Sequence, residues 1–296
     1  MADGTTLNAG TGGDVIATDD IGGVKHQRVK VQHGADGAAS DVSATNPLPV
    51  TGEIIERINL AAGNYSGYSA VNKFGDNHDI DSAAEEDLWS AGGSYTGWLT
   101  SATLVEAVSA SADDASAGTG ARTIQIWGLD ASYAEQTEVI TLNGTTAVDS
   151  SSTYIRVFRA RVLTAGSGGT AAGAITIRVD GAGATVAEIP LGYNQTEMAI
   201  YTVPAGKTAY IFGIFASGGD TLSRAFIDVE LKVRESGGVF CTKFDLQLAS
   251  DGTAAFQRQF TVPIVAAAQS DIVMTAGTDQ DNTHVSGSFD LVLVDD

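Results

Sequence analysis

The chain has 296 residues, 43% of them hydrophobic and 18% charged, with 35 glycines against 5 prolines. It is too apolar to be disordered by composition, and no apolar run nears the roughly 18 residues that a membrane span needs. A formal charge of −20 argues against a surface that tracks nucleic-acid phosphates and favours an exterior that stays soluble at high local copy number. Abundant small residues without long helical periodicity predict an all-β fold of many strands.

Residues 1–20, MADGTTLNAGTGGDVIATDD, are polar and glycine-rich, and such a segment cannot offset its own ordering entropy. It is expected to be an arm that a neighbouring subunit holds. They contain no charged-then-apolar leader pattern. The only basic cluster follows, with Lys25, His26, Arg28, Lys30 and His33. A strand over 24–32 would put Lys25, Gln27, Val29 and Val31 on one face and Val24, His26, Arg28 and Lys30 on the other, ahead of an Asp36-Gly37 turn. Two readings stand. One is a solvated edge strand whose charges deter aggregation. The other is an anchor on an acidic partner, contacted through Lys25, Arg28, Lys30, Val29 and Val31. Pro47 and Pro49 then stiffen a linker, so 1–50 reads as an extended anchoring arm.

Residues 51–191 are expected to form a first β-sandwich. A capping box from Ser82 to Glu85, with Gly92-Gly93 as the stop, predicts one short helix over 82–89. Strands are expected at 102–110, 122–129, 138–142, 154–163, 174–179 and 186–189, separated by turns such as Asn143-Gly144. Residues 192–296 read as a second, jelly-roll-like sandwich, with strands at 224–234, 239–249, 254–265, 271–276 and 284–294. Its centre is a predicted hairpin, 198–203 and 208–215, joined by Pro204-Ala205-Gly206-Lys207. Both faces of the second arm are apolar, so Tyr201, Tyr210, Phe212 and Phe215 are expected to pack within the molecule on one side and against a domain or subunit on the other. Cys241, the single cysteine, is expected to be buried in its apolar run.

Little in the sequence points to catalysis. Gly206-Lys207-Thr208 lacks the upstream glycine and following helix of a phosphate-binding loop. The four histidines, His26, His33, His78 and His284, show no zinc spacing, and no nucleophile elbow is present. The densest oxygen cluster, Asp76, Asp79 and Asp81 with Glu85, Glu86 and Asp87 close behind, is a candidate for structural Ca²⁺, set against a solvated acidic loop because it lacks the EF-hand glycine and terminal Glu, and Asp279, Asp281 and Asn282 form a weaker version. No cofactor and no enzymatic activity are expected.

Several stretches carry a family resemblance: DDIGGVKHQRVKVQHGADG with NPLPV, NKFGDNHDIDSAAEEDLW, ARTIQIWGLDA, VITLNGTTAV, YTVPAGKTAYI and SFDLVLVD. Through them the chain resembles virion structural proteins of tailed bacteriophages over nearly its whole length. The first stretch is similar to an N-terminal module found ahead of different phage C-terminal regions, which implies an attachment segment joined to a displayed β domain. The resemblance implies a place on the virion surface after synthesis in the bacterial cytoplasm. It also implies contact with the major capsid protein or other virion proteins, without nucleic-acid or membrane partners. A trimeric capsid decoration or cement protein is the expectation, and a tail or neck component that contacts host glycan is the alternative. The resemblance carries no catalytic or ligand-binding residues.

Overall fold

The computed structural model describes residues 4–6, 15–27, 29, 31–33, 40–43, 53–219, 224–250 and 254–296. The chain divides into two compact units, residues 1–58 and 59–296. In the first, β1 (Gly4–Thr6) pairs antiparallel with β2 (Val15–Ile21), which pairs with β3 (Val24–Gln27). Gly22 and Gly23, at φ +61° and +84°, form the two-residue loop between Ile21 and its partner Val24. Left-handed backbone at both loop positions matches the twist of a hairpin, and glycine adopts it without a Cβ penalty. β4 (Gln32–His33) and β5 (Ser40–Asp41) form a second small pair. The strand expected over 24–32 therefore stops at Gln27. The expected Asp36-Gly37 turn and the 46–50 linker lie outside the described residues.

The helix is not where the capping box placed it. α1 is Glu53–Ala61, closed by a Schellman motif in which Asn64 N–H reaches Asn59 O, Gly63 N–H reaches Leu60 O, and Gly63 takes φ +71°. After β6 (Tyr68–Ile80), the predicted helical stretch instead forms a turn and β7 (Glu86–Asp87). Its carboxylates are taken up by tertiary partners. Glu85 receives Lys232 Nζ at 2.6 Å, Glu86 receives Asn77 Nδ2 at 2.9 Å and Gly93 N–H at 2.7 Å, and Asp87 receives Tyr95 N–H at 2.5 Å. These bonds outweigh the weak preference of a two-turn helix.

The remaining strands are β8 (Thr103–Ser109), β9 (Ala121–Leu129), β10 (Glu135–Thr141), β11 (Val148–Tyr154), β12 (Arg156–Ala165), β13 (Ile175–Val179), β14 (Thr185–Ile189), β15 (Ile200–Thr202), β16 (Lys207–Gly219), β17 (Ala225–Arg234), β18 (Phe240–Ser250), β19 (Ala254–Ala266), β20 (Asp271–Thr278) and β21 (Thr283–Asp295). Sheets β10-β9-β12 and β11-β8-β13-β14 enclose one core, which holds Ile124, Ile126, Tyr154, Ile175 and Ile189. Sheets β15-β20-β17-β18 and β19-β16-β21-β6 enclose the other, with Ile211, Ile227, Leu231, Met274 and Phe289. The fold is all-β, as composition implied. Pairing crosses the 191–192 division, because β6 joins β21 along eleven partner pairs, Val294↔Tyr68 to Thr283↔Ile80, and β7 joins β20.

The expected hairpin is replaced by a crossing between sheets. β15 pairs with β20, whereas β16 pairs with β19 and β21, so the two arms belong to opposite layers. Pro204 to Lys207 bridge the layers, with Gly206 at φ +71° and its carbonyl accepting Asp296 N–H. Four extended residues can span the roughly 10 Å between packed sheets. The strand buried on both faces is the first arm, not the second. Ala199, Tyr201 and Val203 enter one core while Met198 and Ile200 enter the other, and along β20 Ile272 and Met274 alternate with Val273 in the same way. Cys241 is exposed, against expectation. It lies on β18, the last strand of its sheet, where Thr242 and Lys243 are exposed as well.

Candidate functional site

The most distinctive surface is the outer face of the sheet β19-β16-β21-β6. Along β16, Ala209 and Ile211 point inward, and a register shift between Ile211 and Gly213 then changes the phase. That bulge sends Ile214 into the core, where strict alternation from Ile211 would have turned it outward, and leaves Phe212 and Phe215 40% and 39% exposed. Tyr210 is half-buried beside them. Neighbouring strands extend the apolar surface: Val265 pairs across from Tyr210 on one side and Val292 on the other, and Val265 is 54% exposed. Opposite Phe215 stand Gln257 and Ser288, both uncharged. The middle of this face is thus aromatic, and its charge is Asp290, opposite Gly213 on β21, whose carboxylate accepts Asn72 Nδ2 at 2.6 Å. A second apolar stripe lies on α1, where Ile54, Ile55 and Ile58 are 50–74% exposed.

Of the expected packing residues, Tyr201 is buried between layers, and its ring meets Phe158 edge-on at 5.0 Å. Tyr210, Phe212 and Phe215 share the outward face. Of the expected anchor residues, Val29 and Val31 are exposed at 76% and 50%, and Lys25 pairs with Asp20 in the backbone ladder. The Lys25 side chain, Arg28 and Lys30 lie outside the described residues.

The three acids proposed for Ca²⁺ are not brought together. Asp76 lies on β6 among histidines, Asp79 N–H is taken by the Asn77 side chain, and Asp81 N–H by Glu86. Among the described residues, two groups converge their donor atoms to within 4.8 Å: Asp76, His78 and His284, and Glu106, Asp149 and Asp180. Nε2 of His78 lies 2.8 Å from Asp76 Oδ2, and Nε2 of His284 lies 2.6 Å from Oδ1. The two rings are 4.1 Å apart. Ser286 Oγ donates to the same carboxylate. Asp76 and His78 stand two apart on one face of β6, but His284 and Ser286 lie about two hundred positions later, and only the β6–β21 pairing shows them together.

Two buried polar clusters also escaped the sequence reading. Asp271 accepts Arg156 Nε at 2.9 Å and Nη2 at 3.1 Å, Arg234 Nη2 at 2.5 Å, and Thr202 Oγ1 at 2.6 Å. Both guanidiniums lie over the Trp98 ring, 5.4 and 5.0 Å from its centre. Burial alone would lower the Arg156 pKa, but its bonds to Asp271 reverse this and hold it above the usual value. Since Arg156 is on β12 and Asp271 on β20, the cluster ties the two sandwiches together. An arginine inside the buried run Tyr154 to Phe158 was the available signal. The second cluster lines a cavity of about 290 Å³ with Lys73, Arg159 and Tyr201. Burial, reinforced by the Arg159 charge, holds the Lys73 amine well below its usual pKa, and the buried Tyr201 hydroxyl has no hydrogen-bond partner.

No protein-family model matches the chain, and no curated protein is significantly similar to it. Among solved structures, the infectious bursal disease virus VP2 subviral particle is 8% identical, with 81% of this chain and 77% of that one covered and a TM-score of 0.22. The T13 viral particle of the same virus is 6% identical over 76% and 69%, with a TM-score of 0.22. Its Gx strain is 9% identical over 76% and 72%, at 0.21. TM-scores this low do not establish a common fold.

Proposed function

We propose that the chain is a non-enzymatic structural protein of a tailed-bacteriophage virion, a capsid decoration or cement protein that works as a trimer. The observation that carries this reading is the aromatic outer face of β16, where Phe212 and Phe215 stand about 40% exposed. A chain with net charge −20 that turns Tyr210, Phe212, Phe215 and Val265 outward on one face, with Asp290 there bonded to Asn72, has a surface fitted for burial against protein. The occupant we assign is a second copy of the same chain, since a closed symmetric oligomer buries one such patch per subunit. The exposed stripe of α1 is a further contact of the same kind. The family resemblance of residues 19–37, 46–50 and 201–211 supports the virion context. Residues 1–50 would then reach onto neighbouring capsid subunits and add interface, while the sandwiches form the displayed body.

The test is the copy number of this chain in purified virions, by quantitative mass spectrometry against the major capsid protein. A ratio near one per capsid subunit is expected for lattice-wide decoration. A few to a few dozen copies per particle would move the protein to the tail or neck, and absence from the particle would overturn the virion reading.

A further inference from the structure

The geometry points to a transition-metal site at Asp76, His78 and His284, which binds one Zn²⁺ or a similar borderline divalent cation per chain. The arrangement begins with the sheet. β6 and β21 run antiparallel with Ser286 opposite Asp76 and Val285 opposite Asn77, and the register then shifts before Thr283 meets Ile80. This irregularity leaves His284 beside His78, on the face that carries Asp76 and Ser286. Both Nε2 atoms are directed at the carboxylate, one at each oxygen, so three donors already converge without a metal.

Two imidazole nitrogens and one carboxylate suit Zn²⁺, Co²⁺, Ni²⁺ or Cu²⁺, whereas Ca²⁺ and Mg²⁺ prefer an all-oxygen shell. Tetrahedral Zn²⁺, with bonds of about 2.0–2.1 Å, spaces its ligand atoms about 3.3 Å apart. The present 2.6 and 2.8 Å contacts would open by about 0.5–0.7 Å, within reach of side chains that are 61% and 47% exposed. Ser286 supplies the outer-shell hydrogen bond that fixes the carboxylate. The ion would fasten β6, the last strand of its sheet, to β21 at one end of the outer face. Three protein donors leave room for water or for a ligand from another chain.

The test is titration of the full chain, stripped with a chelator, with Co²⁺ followed by its visible absorption. One equivalent should saturate an absorption of tetrahedral or five-coordinate type, which one equivalent of Zn²⁺ abolishes and excess Ca²⁺ leaves unchanged. His78→Asn, His284→Asn and Asp76→Asn should each remove saturable binding, and Ser286→Ala should weaken it about tenfold. Circular dichroism of each variant confirms that the sheet is retained. Saturable binding that survives in the His78→Asn/His284→Asn double variant, or no binding by the wild type at a hundredfold excess, would overturn the assignment.

Discussion

Asp271 is the residue whose loss the structure prices most clearly. Its side chain is 5% exposed and, among the described residues, is the one carboxylate bonded to both Arg156, 7% exposed, and Arg234, 24% exposed, while also accepting from Thr202. Asp271→Ala leaves two cations facing each other over Trp98 and a buried hydroxyl without its acceptor. Breaking a buried ion pair from one side costs about 3–5 kcal/mol, and the orphaned hydroxyl adds about 1 kcal/mol. Solvent reaching Arg234 reduces the first figure, so a loss of about 4 kcal/mol is expected, a large share of the roughly 5–15 kcal/mol that holds a domain folded. Arg156→Met should cost less, about 2 kcal/mol, because Arg234 still neutralises Asp271 and Met keeps much of the packing on Trp98. Because the cluster joins β12 to β20, Asp271→Ala should also separate unfolding of the two sandwiches. Urea denaturation followed by tryptophan fluorescence and circular dichroism reads both effects. A loss below about 1 kcal/mol for Asp271→Ala, with coincident transitions, would refute the clamp.

Other positions give equally direct tests. A Cβ at Gly75 would lie 1.9 Å from Leu88 O and 2.4 Å from Ala199 N, both backbone atoms, so Gly75→Ala should displace β6 and cost at least about 3 kcal/mol in the denaturation midpoint. Burial pushes the Asp87 carboxyl from 3.8 up to about 6, with Tyr95 N–H and Lys232 opposing. The folded state therefore retains this proton where the unfolded chain has released it, and the Asp87 contribution to stability falls as pH rises from about 4 to about 6 and then levels. Asp87→Asn keeps an acceptor for Tyr95 and should add about 2 kcal/mol near pH 8 but nothing near pH 4, measured by denaturation at both values. Deleting residues 1–50 should abolish incorporation into virions while circular dichroism shows the β-rich body intact, and full incorporation of the truncated chain would remove the anchoring role.

Most strands were legible because their apolar runs are bounded by small-residue turns. β9, β13, β17 and β21 fall within one residue of the expected ends. What failed was the assignment of partners. Two adjacent apolar runs with a Pro-Ala-Gly-Lys link look alike whether they pair or cross between layers, and the choice depended on β20 and β21, some seventy to ninety residues later. The same distance hid β6: its run of Asp, Asn and His reads as a polar loop, yet Lys73 and Asn77 are buried against partners from elsewhere in the chain. Helix prediction at 82–89 failed because local capping chemistry and tertiary hydrogen bonding use the same carboxylates. The apolar character of β16 was readable on both faces, but the bulge that turns Phe215 outward and Ile214 inward was not. Of the metal-capable cluster, Asp76 and His78 were visible as neighbours on one strand, but the third donor, His284, joins them only through cross-strand pairing.

The most direct test of the account is the solution mass of the full chain by light scattering, compared with a Phe212→Ser/Phe215→Ser double variant. Both rings are about 40% exposed, so the substitutions should leave circular dichroism unchanged and lower the denaturation midpoint only by the loss of their partly buried surface, about 1–2 kcal/mol each. A trimeric wild type that falls to a monomer in the variant is the predicted result. A monomeric wild type, or a variant with unchanged mass, would contradict the claim that this face is buried between copies.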